Sequence, residues 1–339
     1  MPRVSIVLPF HNARRYLRGA IESVTADREL DSELLLIDDG STDGGASIAA
    51  AAASRDARIR LIRTGHRGVV EGLNRGIAEA EAPLVARMDA DDIAHPCRVA
   101  RQCALLAQRP EIDLVSCLVR PLCDGAGLGE GTRRYLDWLN ASIGPTQIRR
   151  DLFVESPLPH PTVVFRKKTV EALGGYRDYD GPEDYDLWLR MASAGCRFAK
   201  IPEVLLEWRI HPRSLSRTDR RYRTRAFYRR KFDHVVGELR NGGLGGGRRL
   251  RLWGAGANGR RLGACLRRAG YRIEAFVDID PRKVGTVRGG VKVLSAEVVG
   301  RDDEGCHYLC VVGSWGAREA IRHALGSAGK AEGEDFTIL

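Results

Sequence analysis

The 339-residue chain has no apolar run long enough to span a bilayer, no Cys-x-x-Cys pair, and no glycine- and lysine-rich phosphate loop near its N-terminus. The first absence argues against a transmembrane anchor. The second removes the usual zinc and thiol-redox motifs, so the eight scattered cysteines are expected to be reduced, mostly buried thiols. The third counts against a nucleotidyltransferase, which needs such a loop to hold phosphates. A secretory signal is missing as well: after Met1-Pro2-Arg3, one short apolar segment, Val4 to Leu8, passes directly into His11-Asn12. A cytoplasmic location is the expectation.

What is present is ordinary for a globular protein, 43% hydrophobic and 29% charged, and the length calls for two compact units rather than one. The net charge of +10 gathers in part between Arg213 and Lys231, where arginines alternate with Tyr222, Phe227 and Tyr228. Such a segment suits contact with anionic lipid at the inner face of the membrane, or with a polyanionic acceptor. The competing reading is a solvated basic helix that closes the first domain; a nucleic-acid partner is not expected.

Short apolar runs alternate with helical patterns from the start. Val4 to Leu8, Leu34 to Ile37, Ile59 to Ile62 and Leu84 to Met88 read as strands of a parallel α/β sheet with crossover helices between them. Asn12 is placed to cap the first helix. Parallel strands present ligands at their carboxyl ends, so Pro9 to Asn12, Asp38-Asp39 and Asp89 to Asp92 are expected around one crevice. After about residue 110 the alternation loosens, as suits a part specialised for a second substrate. The domain layout expected is a first domain over 1–236, a glycine-rich linker over 237–248 and a small α/β unit over 249–339.

Three acids at strand ends repel one another unless a cation joins them, and a divalent metal with a diphosphate is the common solution. A solvated acidic turn is the alternative, and it suits Asp43 and Asp92 best. The segments Val7-Leu8-Pro9-Phe10-His11-Asn12, Ile37-Asp38-Asp39-Gly40-Ser41-Thr42-Asp43, Gly72-Leu73-Asn74-Arg75-Gly76-Ile77, Ala86-Arg87-Met88-Asp89-Ala90-Asp91-Asp92-Ile93 and Glu183-Asp184-Tyr185-Asp186-Leu187-Trp188-Leu189-Arg190 stand in this order. Together they resemble the successive motifs of the inverting, GT-A fold glycosyltransferases of family 2, over roughly residues 1–215.

That resemblance implies a GT-A nucleotide-diphospho-sugar transferase domain with a Rossmann-like mixed sheet. It implies that Pro9, Phe10 and Asn12 frame the nucleoside, that Asp39 accepts a hydrogen bond from the base, and that Asp89 contacts ribose or metal. Asp91 would ligate Mn²⁺ or Mg²⁺, with His211, in Trp208-Arg209-Ile210-His211-Pro212, completing the metal shell from a segment folded over the diphosphate. Asp184 takes the position of the general base, with Glu183 beside it, and His160-Pro161-Thr162 resembles an acceptor-side loop. Asp92 is instead a candidate cap for the helix near Pro96. Arg75 and Arg87 fit either a diphosphate contact or ordinary ion pairs. The implied partners are a UDP-, dTDP- or GDP-sugar donor and a glycan, lipid-linked or protein acceptor, in the synthesis of bacterial surface glycans.

The last unit carries its own pattern: Gly254, Gly256 and Gly259 follow a strand and open a helix, and Asp278 ends the next strand. This is the turn of dinucleotide-binding folds, in a unit too short for both halves of a full dinucleotide site. It resembles small Rossmann-like appendages of some bacterial glycosyltransferases. A nicotinamide- or nucleotide-binding oxidoreductase or sensor centred there is the alternative function.

Overall fold

Val4–Phe10 is apolar at nearly every position, which suits a strand covered on both faces; in the computed structural model it is β1, near the middle of an eight-stranded mixed sheet. The structure describes residues 3–125, 127–301, 303–313 and 316–339. In chain order the other strands of this sheet are β2 (Ser32–Asp38), β3 (Ile59–Arg63), β4 (Leu84–Arg87), β5 (Ile93–Ala94), β6 (Leu114–Cys123), β7 (Val164–Arg166) and β8 (Phe198–Ile210). Their spatial order is β3-β2-β1-β4-β7-β6-β8-β5. The nucleotide-type half, β3 to β4, is parallel, whereas β7 runs antiparallel to both β4 and β6.

Register places the expected crevice. Phe10 pairs with Asp38, so β1 and β2 end level, and the Asp39 amide donates to the Phe10 carbonyl at 2.9 Å. Beneath this edge Leu8, Leu34, Leu36 and Leu17 are fully buried in one core, where removal of any such side chain costs about 2–5 kcal/mol. The helix Val69–Glu79 lies against β1 through Gly76, whose missing Cβ would stand 2.3 Å from Val7 Cγ1. Asn74 on that helix bonds both backbone groups of Tyr176, at 2.9 and 2.8 Å, which joins the third motif to the loop before the acidic pair.

The loosened region holds the two longest strands of the sheet. β6 and β8 pair in parallel, with register shifts near Cys117 and Leu118. Polar residues hide this pairing in the sequence: Lys200 is buried, and its ammonium group donates to the carbonyls of Leu139 and Pro157 at 2.8 and 2.7 Å. Trp208 to Ile210 therefore belong to β8, paired with Pro121 to Cys123.

Contacts divide the chain into residues 1–149 with 156–222, and residues 150–155 with 223–339. This differs from the boundary at 236. In the basic helix Thr224–Arg240, Phe232, Val235 and Val236 are buried in one core with Leu252, Leu262, Leu266 and Ile273, so the helix belongs to the second unit. It is amphipathic rather than solvated all round. The linker expected at 237–248 begins inside this helix, and Gly245, Gly246 and Gly247 form a tight turn at φ +66°, +49° and +78°.

The second unit is a six-stranded sheet of β9 (Arg249–Trp253), β10 (Ile273–Asp278), β11 (Val287–Arg288), β12 (Val291–Ser295), β13 (Cys306–Cys310) and β14 (Phe336–Ile338), in the order β11-β12-β10-β9-β13-β14. All pairs are parallel except β11 with β12. The chain winds outward from β9 in both directions, as in Rossmann-like units. Two glycines of its turn are dictated by space: Gly254 has φ +110° and a Cβ there would lie 2.4 Å from the Val311 carbonyl, while a Cβ on Gly259 would lie 1.8 Å from the Gly254 carbonyl. Backbone cannot yield as a side chain does. Gly259→Ala is accordingly expected to lower the stability of this unit by about 1–3 kcal/mol, measured by denaturant unfolding.

Candidate active site

The acidic turn after β4 is held on two sides. Arg87, buried at the end of the strand, forms an ion pair with Asp89. From β8, the Arg209 amide donates to Asp92 Oδ1 at 2.7 Å, its Nε to the Asp91 carbonyl at 2.7 Å, and its terminal nitrogen to Asp124 at 2.5 Å. The Arg209 guanidinium also lies over the Tyr16 ring at 4.5 Å, and the Tyr16 hydroxyl bonds Asp124. His211 Nε2 sits 3.0 Å from Asp91 Oδ2. The turn is thus built rather than loose.

Asp89, Asp91 and Asp92 offer oxygens within 4.8 Å of one another. Burial and the Asp89 charge push the Asp91 carboxyl up, partly opposed by its bond to His211. Burial, followed by the charges of Asp89 and Asp91, drives Asp92 well above the carboxylate range. Asp92 Oδ2 is buried without a hydrogen-bond partner among the described residues, as a protonated acid or an acid awaiting a cation would be. Asp92 does not cap the following helix: Arg98–Gln108 begins with no side-chain cap, and Asp92 turns toward β8 instead. Hard carboxylate oxygens with one imidazole suit a divalent cation of the Mg²⁺ or Mn²⁺ kind.

Along the edge of β1 and β2 the second set forms. Asp39 accepts from Thr64 Oγ1, Arg67 N and Gly68 N at 2.9, 2.7 and 2.9 Å. Burial raises this carboxyl's proton affinity, and those three donors more than offset it, so Asp39 stays ionised. Its first task is to hold the 64–68 loop. Asn12, at φ +51°, accepts from Thr42 N at 2.8 Å and ties the β1 and β2 loops together. It does not cap the first helix, which begins at Leu17 without a side-chain cap. Pro9 is half-buried at the rim, but the Phe10 ring is buried in the core. Arg75 pairs with Glu79 on the surface, and Arg87 is the ion-pair arginine already described.

A third set surrounds the helix Glu183–Ser193. Glu183 is buried, and the Tyr222 hydroxyl lies 2.9 and 2.7 Å from its two oxygens. His160 Nε2 is 2.8 Å from the Tyr176 hydroxyl, its Nδ1 is 3.7 Å from Glu183, and burial and the Arg87 charge keep the ring neutral. Asp184 is half-buried and accepts from the Tyr185 amide at 2.7 Å. Burial and the neighbouring Glu183 charge push its carboxyl up to about 7. Trp188 and Leu189 lie on the buried face of the helix. Arg87 acts on both acidic groups, by ion pair on Asp89 and by its charge on Glu183 and Asp184.

In the second unit Asp278 is engaged by its own turn. It accepts from Ala255 N at 2.8 Å and Asp280 N at 2.9 Å and pairs with Lys283 at 3.1 Å. Gly256 opens onto free space.

Tyr16, Asp124, Tyr222 and the 64–68 loop escaped sequence reasoning. Asp124 follows a strand end, the same signal that marks Asp39; Tyr16 and Tyr222 carry no comparable sign.

A mixed sheet with a braced acidic turn at one strand end, and a separate acidic pair opening a helix, defines the GT-A-like α/β transferase class. Residues 5–174 match the family model for glycosyl transferase family 2, and the chain belongs to that family. It is similar to the O-antigen biosynthesis glycosyltransferase WbnJ of Escherichia coli, 26% identical over 232 residues, covering 66% of this chain and 86% of that protein. Among solved structures it resembles S. aureus TarS in complex with UDP-GlcNAc, with a TM-score of 0.55 at 14% identity, over 70% of this chain and 67% of that one. It also resembles the mannosyltransferase PcManGT from Pyrobaculum calidifontis in complex with GDP-Man and Mn²⁺, with a TM-score of 0.50 at 20% identity, over 71% and 64% of the two chains. At these identities the structural likeness is one of fold. The chain is a glycosyltransferase, and no helix among the described residues is long and apolar enough to cross a membrane.

Proposed function

We propose that the chain moves a sugar from a nucleoside-diphosphate donor to an acceptor hydroxyl in a single inverting displacement, with Asp184 as the base. The observation that carries this reading is Asp184 itself: a half-buried carboxylate whose proton affinity lies near neutrality and which stands apart from the braced acids of the strand end. Such a group accepts a proton at working pH without being spent as a ligand. Pro9, Asn12, Asp39 and the 64–68 loop would hold the nucleoside, Asp89 its ribose, and Asp91 with His211 a divalent cation. Bound there, the cation would neutralise charge on the departing diphosphate. The acceptor oxygen bonds the anomeric carbon as its proton passes to Asp184, and the electrons of the breaking bond leave with the diphosphate.

UDP-, dTDP- and GDP-sugars are the donor class, and the complexes of TarS and PcManGT with UDP-GlcNAc and GDP-Man support that range. A surface-glycan acceptor is supported by the similarity to an O-antigen enzyme. The test is a panel of such donors with Mn²⁺ or Mg²⁺ and a glycan or lipid-linked acceptor, with the anomeric configuration of the product read by NMR. A retained configuration, or no transfer from any donor, would end this reading. Because Arg209 braces the turn, Arg209→Met is expected to raise the Mn²⁺ concentration for half-maximal activity by about 10–100-fold, read by metal titration.

A further inference from the structure

Glu183 lies directly beside the proposed base, is almost wholly buried, and would lose its charge in such a place without donors. The Tyr222 hydroxyl, between its two oxygens at 2.7 and 2.9 Å, meets that need from the 3₁₀ turn Arg220–Tyr222. That turn is fixed by Arg221, which bonds Asp219 through its amide at 2.8 Å and its guanidinium at 2.9 Å. The other groups facing Glu183 do less. His160 is 3.7 Å away and neutral, the Tyr176 hydroxyl is hydrogen-bonded to His160, and the amide of Glu183 itself and the charges of Arg87 and Arg221 favour its ionised form less than Tyr222 does. Asp184 in turn faces Glu183, Arg87, Tyr176 and Tyr222. Burial and the two acids hold the Tyr222 phenol well above its ordinary range, so it remains a donor.

We propose that Tyr222 is a positioning residue: by bonding Glu183 it favours the ionised form of that carboxylate next to Asp184, and the charge Glu183 retains sets where Asp184 takes up its proton. This rests on the assignment of Asp184 as base. The sign follows directly. Removing the hydroxyl leaves Glu183 short of a donor, so Glu183 binds a proton; its charge disappears, and Asp184 titrates lower. The acid limb of the reaction then moves to lower pH.

The experiment uses the full chain with Tyr222→Phe, Glu183→Gln and both together. The first readout is kcat/KM against pH for Mn²⁺-dependent turnover of UDP-GlcNAc and GDP-Man. The second is a ¹³C NMR titration of aspartate-labelled protein without donor, with the Asp184 signal identified by its loss in Asp184→Asn. Tyr222→Phe is expected to lower the Asp184 midpoint by about one pH unit, Glu183→Gln to do the same, and the double variant to show no added shift. An unmoved midpoint in Tyr222→Phe, even with reduced turnover, would reduce Tyr222 to a packing role and overturn the proposal. So would additive shifts, which would mean that Tyr222 acts by excluding water rather than through Glu183. Turnover of neither donor by the wild type counts against those donors alone, because the NMR midpoint still decides the coupling.

Discussion

Asp91→Ala is expected to lower donor turnover by about a thousandfold with the fold intact, a size typical of losing a group that helps stabilise a developing charge. Asp91 is the half-buried member of the strand-end acids that also meets His211, so on the proposed reading its loss removes a ligand and frees the imidazole. Stability is expected to hold or rise, because the folded turn keeps three mutually repelling acids close together. Released nucleoside diphosphate at saturating Mn²⁺, beside a thermal melt, gives both numbers. Equal turnover by wild type and variant would remove Asp91 from the chemistry.

Asp184→Asn is expected to cost about 10²–10⁴-fold in kcat, the usual contribution of a general base, with little change in donor affinity. In the wild type the base must be ionised. With its carboxyl pushed up to about 7, kcat/KM should climb as pH rises through neutrality and level off above it. Stability should move the opposite way. A carboxyl whose proton is held more tightly in the folded than in the unfolded chain stabilises the fold below the unfolded value of about 4, and that contribution fades as pH rises toward 7. Asp184→Asn, which carries no charge at any pH, should therefore melt higher than the wild type at pH 8 and lose the rising limb. A flat wild-type profile across pH 6–8 would be incompatible with this base.

The legible parts were those where local chemistry and tertiary role coincide. Apolar runs gave β1, β2 and β4 because parallel strands are buried on both faces, and the acids at their ends stand where the sheet topology puts them. Residues with a role set by distant partners were not legible. Asn12 looks like a cap but ties two loops together, and Phe10 sits in a binding motif yet points into the core. Asp92 turns to an amide of β8, more than a hundred positions away in the sequence. β8 itself was obscured by Lys200, whose buried ammonium spends its donors on carbonyls. The basic helix Thr224–Arg240 was judged by its charges, although Phe232, Val235 and Val236 decide where it packs.

Residues 150–155 belong with residues 223–339, although both flanks of that short segment lie in the first unit. Leu152 and Val154 are buried, Phe153 stacks with His234 at 5.3 Å, and Lys231 donates to the Val154 carbonyl at 2.6 Å. The second unit is thus built from two separate stretches of the chain. During synthesis this apolar patch leaves the ribosome well before the helix that covers it, and must wait uncovered. A shortened gene ending at Tyr222 would keep every acid of the transferase site and still strand Phe153 without the helix it stacks on, so poor solubility of such a fragment would reflect its missing cover and not a failed active site.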